Sequence, residues 1–327
     1  MRRLLIVGLL IAGALAGAGA WWLNQPLALN ADRVDLSIEP GTSPRGVAQA
    51  VLEAGVDVHP APLFWWFRLS GDARQIRAGS YELERGVTPR SLLRMLVRGE
   101  EALRSVTLVE GWNWRQVRQA LSRAEQLKHD SQNLSDDQIM SRLGRAGIPA
   151  EGRFFPDTYT YAKGSSDLAV LQRALHAMDR KLDAAWAQRA PDTPLKTPEQ
   201  ALILASIVEK ETGKPADRAL IAGVFVNRLR IGMMLQTDPT VIYGLGEAFD
   251  GNLRKRHLQS DTPWNTYTRA GLPPTPIAMP GQASLLAAVQ PATTKALYFV
   301  ARGDGTSQFS ASLDEHNRAV NQFQRGQ

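Results

Sequence analysis

Two glutamates near the middle of the chain are the strongest candidates for acid–base chemistry. Glu209 and Glu211 close an apolar helical stretch that begins at residue 201. A carboxyl group can serve as a general acid near neutral pH when its surroundings disfavour the anion. This stretch therefore predicts a site at which one carboxyl group transfers protons.

Helical phase selects Glu211 over Glu209. At about 100° per residue, Glu211 shares a face with the apolar Val208, whereas Glu209 lies about 200° round the helix. Glu211 also lies in the last turn, where the helix dipole disfavours an anion by about 0.3–1 kcal/mol. Both effects predict a raised pKa. The alternative is that Glu211 is a surface residue paired with Lys214 or Arg218.

Loops that follow this helix carry polar and aromatic residues of the types that hydrogen-bond to sugars and stack on them. The candidates for substrate binding are Gln236, Thr237, Asp238, Asn265 and Tyr267. Asp238 is the most obvious second carboxylate, and it could equally cap a turn. Each of the five also suits a structural role.

The sequence gives little support for a metal, cofactor or nucleic-acid site. The chain has no cysteine and five dispersed histidines, so we expect no metal site, and no cofactor motif is present. The excess of 38 Lys and Arg over 32 Asp and Glu is scattered. The densest basic cluster, residues 254–257, is short and suits a solvated loop, so we expect no nucleic-acid partner.

The N-terminus predicts a membrane anchor. Two arginines precede an uncharged apolar run at residues 4–23, and 20 helical residues reach about 30 Å, the thickness of a bilayer core. The arginines predict a cytoplasmic tail at residues 1–3 and a single pass through the inner membrane, with the remainder outside it. The alternative is a signal peptide cleaved after the small residues 18–20.

Residues 24–33 are predicted to form a linker. A strand–turn–helix motif then occurs three times. The copies have helix caps at Ser43, Thr88 and Asn113, and a proline follows the first two caps. Such a repeat predicts a small α+β module at residues 34–120, similar to LysM carbohydrate-binding modules. A spacer domain without a ligand is the alternative.

Residues 121–327 read as a larger, mainly helical α+β domain. Helices are expected from Ser135 to about residue 143, over 167–189, from Thr197 to about 213 and over 216–230. A long irregular stretch is expected next, then a hairpin at residues 297–309 and a final helix after Ser312. The fold class is therefore α+β, with a short sheet beside the helices.

Several motifs in this domain resemble the YceG-like family of endolytic murein transglycosylases, and they occur in the same order as in that family. They are ASIVEKET at 205–212, VFVNRL at 224–229, GMMLQTDPTVIYG at 232–244, NTY at 265–267, GLPP at 271–274 and YFV at 298–300. The EGRFFPDT segment at 151–158 and the anchor are also similar. Asp217 departs from the family, which more often has Glu before the arginine at this position.

The resemblance implies that Glu211, the second glutamate of EKET, is catalytic. It implies cleavage of MurNAc–GlcNAc bonds within peptidoglycan glycan strands, without water, with Glu211 as acid and then as base and 1,6-anhydroMurNAc ends as the product. It further implies a periplasmic catalytic part and partnership with peptidoglycan synthases in the inner membrane.

Two other functions remain open from the residues. A hydrolytic muramidase would pair Glu211 with Asp238 or Glu247. A non-catalytic peptidoglycan-binding scaffold would use the repeat module and would not need the acid. The nature of the product ends distinguishes these possibilities.

Overall fold

The computed structural model describes residues 2–324 and 326, without the side chains of residues 2–5 and 12. Met1, in the predicted cytoplasmic tail, lies outside the described residues. The first helix, α1 (Arg2–Trp22), covers nearly all of the predicted anchor. Among the described residues, no helix combines the length and the apolar character needed to cross a membrane.

The chain divides into two compact units. The first comprises residues 1–104 and 160–165, and the second comprises residues 105–159 and 166–327. The division after Arg104 lies before the boundary at 120/121 expected from the sequence. The assignment of a carbohydrate-binding module to 34–120 and a catalytic domain to 121–327 stays a prediction.

Among its described residues, the first unit contains two antiparallel strand pairs, three short α-helices after α1 and a 3₁₀ turn at Ala73–Gln75. Its elements are β1 (Ala28–Leu29), β2 (Arg33–Ile38), α2 (Pro44–Glu53), β3 (Val56–Asp57), α3 (Pro60–Leu69), β4 (Gly79–Glu84) and α4 (Pro89–Arg98). β2 pairs with β4 and β1 pairs with β3. Because β1 lies inside residues 24–33, the predicted linker contains ordered structure.

The capping residues of the repeat behave as predicted. Ser43 accepts a hydrogen bond from the Gly46 amide at the start of α2, and Thr88 does the same for Ser91 at the start of α4. Alternate residues of β2 are buried against these helices, which closes the apolar core of this unit. The core contains, among others, Leu36, Val51, Leu63, Phe67, Tyr81, Leu83 and Leu92.

The chain leaves the first unit within β5 (Leu103–Thr107) and re-enters it within β6 (Thr158–Ala162). These two strands form a two-stranded sheet. The third copy of the strand–turn–helix motif continues into α5 (Trp114–Arg123). Asn113 caps this helix as predicted, and Gln116 completes a capping box with it. That helix belongs to the second unit.

The second unit is mainly helical. Its further elements are α6 (Asp136–Arg142), α7 (Asp167–Ala187), α8 (Pro198–Glu211), α9 (Arg218–Arg230), α10 (Asp238–Leu245), α11 (Lys255–Gln259), α12 (Gln282–Val289), β7 (Tyr298–Ala301), β8 (Ser307–Ser310) and α13 (Leu313–Gln324). The mixed α+β class and the C-terminal hairpin are confirmed. The stretch after α9 is not irregular as expected, because it contains α10, α11 and α12.

The helix α8 lies in the centre of the second core. Every residue from Ala201 to Val208 is buried, so the helix is covered on all sides rather than along one stripe. Its neighbours are α7, α9, α10 and α12. A helix buried in this way fixes the position of whatever side chains close its last turn.

Candidate active site

Glu211 is the last residue of α8. Thr197 caps the first turn by accepting from the Gln200 amide at 3.2 Å, with Pro198 at the first helical position. At the other end, the Thr212 amide and hydroxyl both donate to the Val208 carbonyl, at 3.1 and 2.6 Å. These local bonds end the helix at a defined residue and hold the Glu211 backbone in place.

The Glu211 carboxyl group is part-buried, and the hydroxyl of Thr237 donates a hydrogen bond to its Oε1. Burial raises the pKa of this carboxyl above its ordinary value, and the negative charge of Asp238 acts in the same direction. The Thr237 bond and the Arg228 charge lower the pKa without cancelling the rise. The group is therefore suited to hold a proton at higher pH than an exposed glutamate.

The Glu209 carboxylate has different partners from that of Glu211. Its Oε2 accepts a hydrogen bond from the Gly281 amide at 2.9 Å, and the Arg218 guanidinium lies 4.0 Å from its Oε1. Burial and the Glu209 charge together raise the pKa of Glu110 beside it. Since α8 is apolar all round, the contrast between the two glutamates comes from their partners, and not from an apolar stripe as the sequence indicated.

The segment before α10 holds Thr237 rigidly. Its amide donates to Thr266 Oγ1 at 3.1 Å, and its carbonyl accepts from Thr240 Oγ1 at 2.7 Å. Gln236, just before it, has a φ of 48°, a left-handed conformation that is uncommon outside glycine. This turn places the buried Thr237 against Glu211 and leaves the Gln236 side chain exposed.

The exposed Asp238 and the part-buried Tyr267 form the outer edge of the site. The Tyr267 hydroxyl donates to Asp238 Oδ1 at 2.6 Å, and burial raises the pKa of that phenol. Asn265 is fully buried, its Oδ1 accepts from the Tyr267 amide at 2.8 Å, and its Nδ2 donates to the Ser260 carbonyl at 2.6 Å. Asn265 thus positions Tyr267 and has no surface to offer a ligand.

Arg228 is a component of the site that the sequence reasoning did not identify. It is 7% exposed on α9 and donates to the backbone carbonyls of Leu235 at 2.7 Å and Leu297 at 2.6 Å. Its guanidinium carbon lies 5.3 Å from the centre of the Tyr298 ring. A cation within the apolar run of residues 221–229 is the signal that could have revealed it.

The structure thus brings four of the six predicted residues together: Glu211, Thr237, Asp238 and Tyr267. The arrangement is one part-buried carboxyl group with a fixed hydroxyl donor, an exposed carboxylate that is hydrogen-bonded to a part-buried phenol, and a nearby buried cation. This arrangement suits acid–base chemistry that relies on a single principal carboxyl group.

Comparison with known proteins identifies the family. The family model described as YceG-like matches residues 36–322, and the chain belongs to that family. The protein is similar to the endolytic murein transglycosylase of Bacillus subtilis (strain 168), at 29% identity over 89% of this chain and 84% of the relative.

Two other relatives extend this likeness. The endolytic murein transglycosylase of Streptococcus pneumoniae serotype 2 is 25% identical over 96% of this chain, which spans 64% of that protein's length. A crystal structure of a YceG-like protein from Listeria monocytogenes matches with a TM-score of 0.55 and 27% identity, over 88% of this chain and 98% of that one.

Proposed function

We propose that this protein is an endolytic lytic transglycosylase that cuts peptidoglycan glycan strands at MurNAc–GlcNAc bonds, with Glu211 as the acid and then the base. The observation that carries the proposal is the part-buried Glu211 carboxyl, whose pKa is raised and whose Oε1 is held by Thr237. The activity named for the Bacillus and Streptococcus relatives supports the same reaction.

In the first step, protonated Glu211 donates its proton to the glycosidic oxygen. The bond from that oxygen to the muramyl anomeric carbon breaks, and the carbon gains oxocarbenium character. A raised pKa keeps the donor protonated near neutral pH, which this step requires. The Thr237 hydroxyl then stabilises the carboxylate that remains, since it donates to Oε1.

In the second step, the Glu211 carboxylate accepts the proton of the muramyl 6-hydroxyl. That oxygen bonds to the anomeric carbon and closes a 1,6-anhydro ring, so the nucleophile comes from the substrate and no water is consumed. Glu211 ends protonated, ready for the next strand. Gln236, Asp238 and Tyr267 bind sugar hydroxyls around the acid, and Asn265 supports Tyr267 from behind.

The hydrolytic alternative needs a second carboxylate that works with Glu211. Glu247 is exposed and forms an ion pair with Arg115 at 2.8 Å, and Asp238 accepts from Tyr267. Each of these carboxylates is thus already bound to a side chain rather than placed to activate water beside Glu211. This supports a reaction that relies on the Glu211 carboxyl alone.

The proposal includes a location. The apolar run at residues 4–23 acts as a single-pass anchor in the inner membrane, the catalytic part lies in the periplasm, and the LysM-like module at 34–120 binds the glycan near peptidoglycan synthases. The composition of that run supports the anchor. Extraction of membranes at alkaline pH tests it, because an anchored chain stays in the pellet and a peripheral chain is released.

Mass spectrometry of uncrosslinked glycan strands incubated with the full-length chain tests the reaction. The wild type should release fragments with 1,6-anhydroMurNAc ends and no oxygen from labelled water. Glu211→Gln, which keeps the shape of the side chain, should cut at least about a hundredfold more slowly. The matched amide change Asp314→Asn, on the exposed face of α13, should cut at the wild-type rate. Reducing ends in place of anhydro ends would support hydrolysis instead.

A further inference from the structure

A cleft of about 670 Å³ lies beside the candidate active site. Its lining comes from the start of α5, from α10 and from the segments around Glu151, Phe249 and Trp264. Clefts that bind small organic ligands in proteins measure about 300–1,000 Å³. The size is therefore that of a binding site.

The cleft and the acid share two segments of the chain. Lys210 and Pro239 both line the cleft. Lys210 immediately precedes Glu211 and Pro239 immediately follows Asp238, and neighbouring Cα atoms are about 3.8 Å apart. A polymeric substrate bound at Glu211 would therefore meet this cleft a short distance further along its length.

Three part-buried aromatic side chains form much of the wall: Tyr243, Phe249 and Trp264. The rings of Tyr243 and Trp264 are 5.4 Å apart at an angle of 66°, and the Trp264 indole donates to Thr275 at 2.9 Å. These contacts hold two rings in fixed orientations. Flat, rigid apolar faces of this kind suit the C–H faces of sugar rings.

The buried end of the cleft is polar. Glu151 is 6% exposed and accepts from the Trp114 amide with both oxygens, each at 3.1 Å, and it also hydrogen-bonds to the Tyr243 side chain. Trp114 is equally buried, and its indole N–H has no acceptor among the described residues. The Glu151 carboxyl and this indole N–H make the inner end of the cleft polar, and an unsatisfied buried donor costs about 1–3 kcal/mol.

We propose that this cleft is a saccharide-binding subsite that holds the glycan strand away from the bond cleaved at Glu211. The inference rests on the proposed function in taking a glycan as the substrate. Ring-stacking walls, a polar interior and continuity with the acid fit an alternating chain of hydroxyl- and acetamido-bearing sugars. Occupation of the cleft places the cut inside a strand, with several sugars beyond the scissile bond.

Binding of uncrosslinked glycan strands tests the subsite without cleavage. Calorimetry compares full-length Glu211→Gln with the double variant that also carries Phe249→Ala. Loss of the ring should weaken binding about tenfold. Phe249→Leu, which keeps apolar volume without a flat ring, should weaken it similarly and remains informative if the alanine variant does not fold. Ile231→Ala, a change of an exposed apolar side chain outside the cleft, is the control.

The outcomes separate the two proposals. Equal binding by all variants overturns the subsite, whatever the wild type cleaves. Weaker binding by the Phe249 variants supports the subsite, even where the wild type releases no anhydro ends and the proposed reaction fails. In the active background, Phe249→Ala should spare the shortest oligosaccharide that the wild type cleaves, and an equal loss on that substrate also overturns the subsite.

Discussion

Thr237 donates its hydroxyl hydrogen to Oε1 of Glu211, although 26 positions separate the two residues in the chain. The bond lowers the pKa of a carboxyl that burial otherwise raises. A single hydroxyl therefore shifts the balance between the protonated and ionised forms of Glu211.

Removing that hydroxyl should shift the pH dependence of cleavage. Thr237→Val takes away a donor to the carboxylate, so the Glu211 pKa should rise further. The proposed reaction needs a protonated acid, and kcat/KM should consequently fall at higher pH than in the wild type. Thr237→Ser keeps the hydroxyl and should restore the original profile. A Thr237→Val profile that coincides with the wild type would contradict this account.

Arg228 should matter for stability more than its neighbour Arg230. Arg228→Lys loses the planar set of donors that reaches the Leu235 and Leu297 carbonyls, and we expect unfolding to be easier by about 2–3 kcal/mol. Arg230→Lys changes an exposed pair with Asp192 and should cost less than about 1 kcal/mol. Urea unfolding followed by tryptophan fluorescence measures both, and equal losses would argue against the buried role of Arg228.

Glu151 should make stability depend on pH. Burial raises its pKa from an ordinary 4.5 to about 7 in the folded chain. The contribution of the Glu151 carboxyl to the free energy of unfolding is fully present below pH 4.5. It is lost as pH rises through about 7, a decrease of about 3 kcal/mol. Glu151→Gln should remove this part of the pH dependence between pH 5 and 8. Glu247→Gln, at a highly exposed glutamate, should leave it unchanged.

Tyr267 should affect substrate binding rather than folding. Tyr267→Phe removes the 2.6 Å bond to Asp238, whose carboxylate is exposed and can turn to solvent. We expect KM for glycan strands to rise several-fold while Tm stays near the wild-type value. Tyr159→Phe removes a buried bond to the Phe155 carbonyl and should do the reverse, with a stability loss of about 1 kcal/mol. Kinetics with strands of defined length, together with thermal melts, distinguish the two patterns.

Local chemistry accounts for what the sequence could predict. Caps such as Ser43 and Thr197, each followed by proline, mark helix starts because they satisfy amides within one turn. The helix α12 begins at Gln282, directly after Gly281, which has no side chain to act as a cap, so no local signal predicts this start. Thr237 and Pro239 on either side of Asp238 are typical of a helix start, and α10 does begin at Asp238, where we predict a loop from the sequence.

The sequence alone singles out Glu211 as the candidate acid, but it says less about the residues that surround it. The position of Glu211 on a single helix is enough to select it. Arg228 and Glu151 are identified only by their contacts with distant segments of the chain. Glu151 reaches Trp114 across 37 positions, and no local pattern encodes such a contact. The residue type of Asn265 predicts substrate binding, but its side-chain amide is buried against carbonyls that only the tertiary fold brings near.

Segments that lie well after Glu211 in the chain complete the surroundings of the acid. The helix α12 covers α8, and Arg228 is anchored on the carbonyl of Leu297. A ribosome product that stops before residue 282 would carry Glu211 on an uncovered helix, beside an arginine without one of its anchors. Its carboxyl would titrate more like a free glutamate. A chain truncated before residue 282 should thus lose much of the burial that raises the Glu211 pKa, and the proposed activity with it.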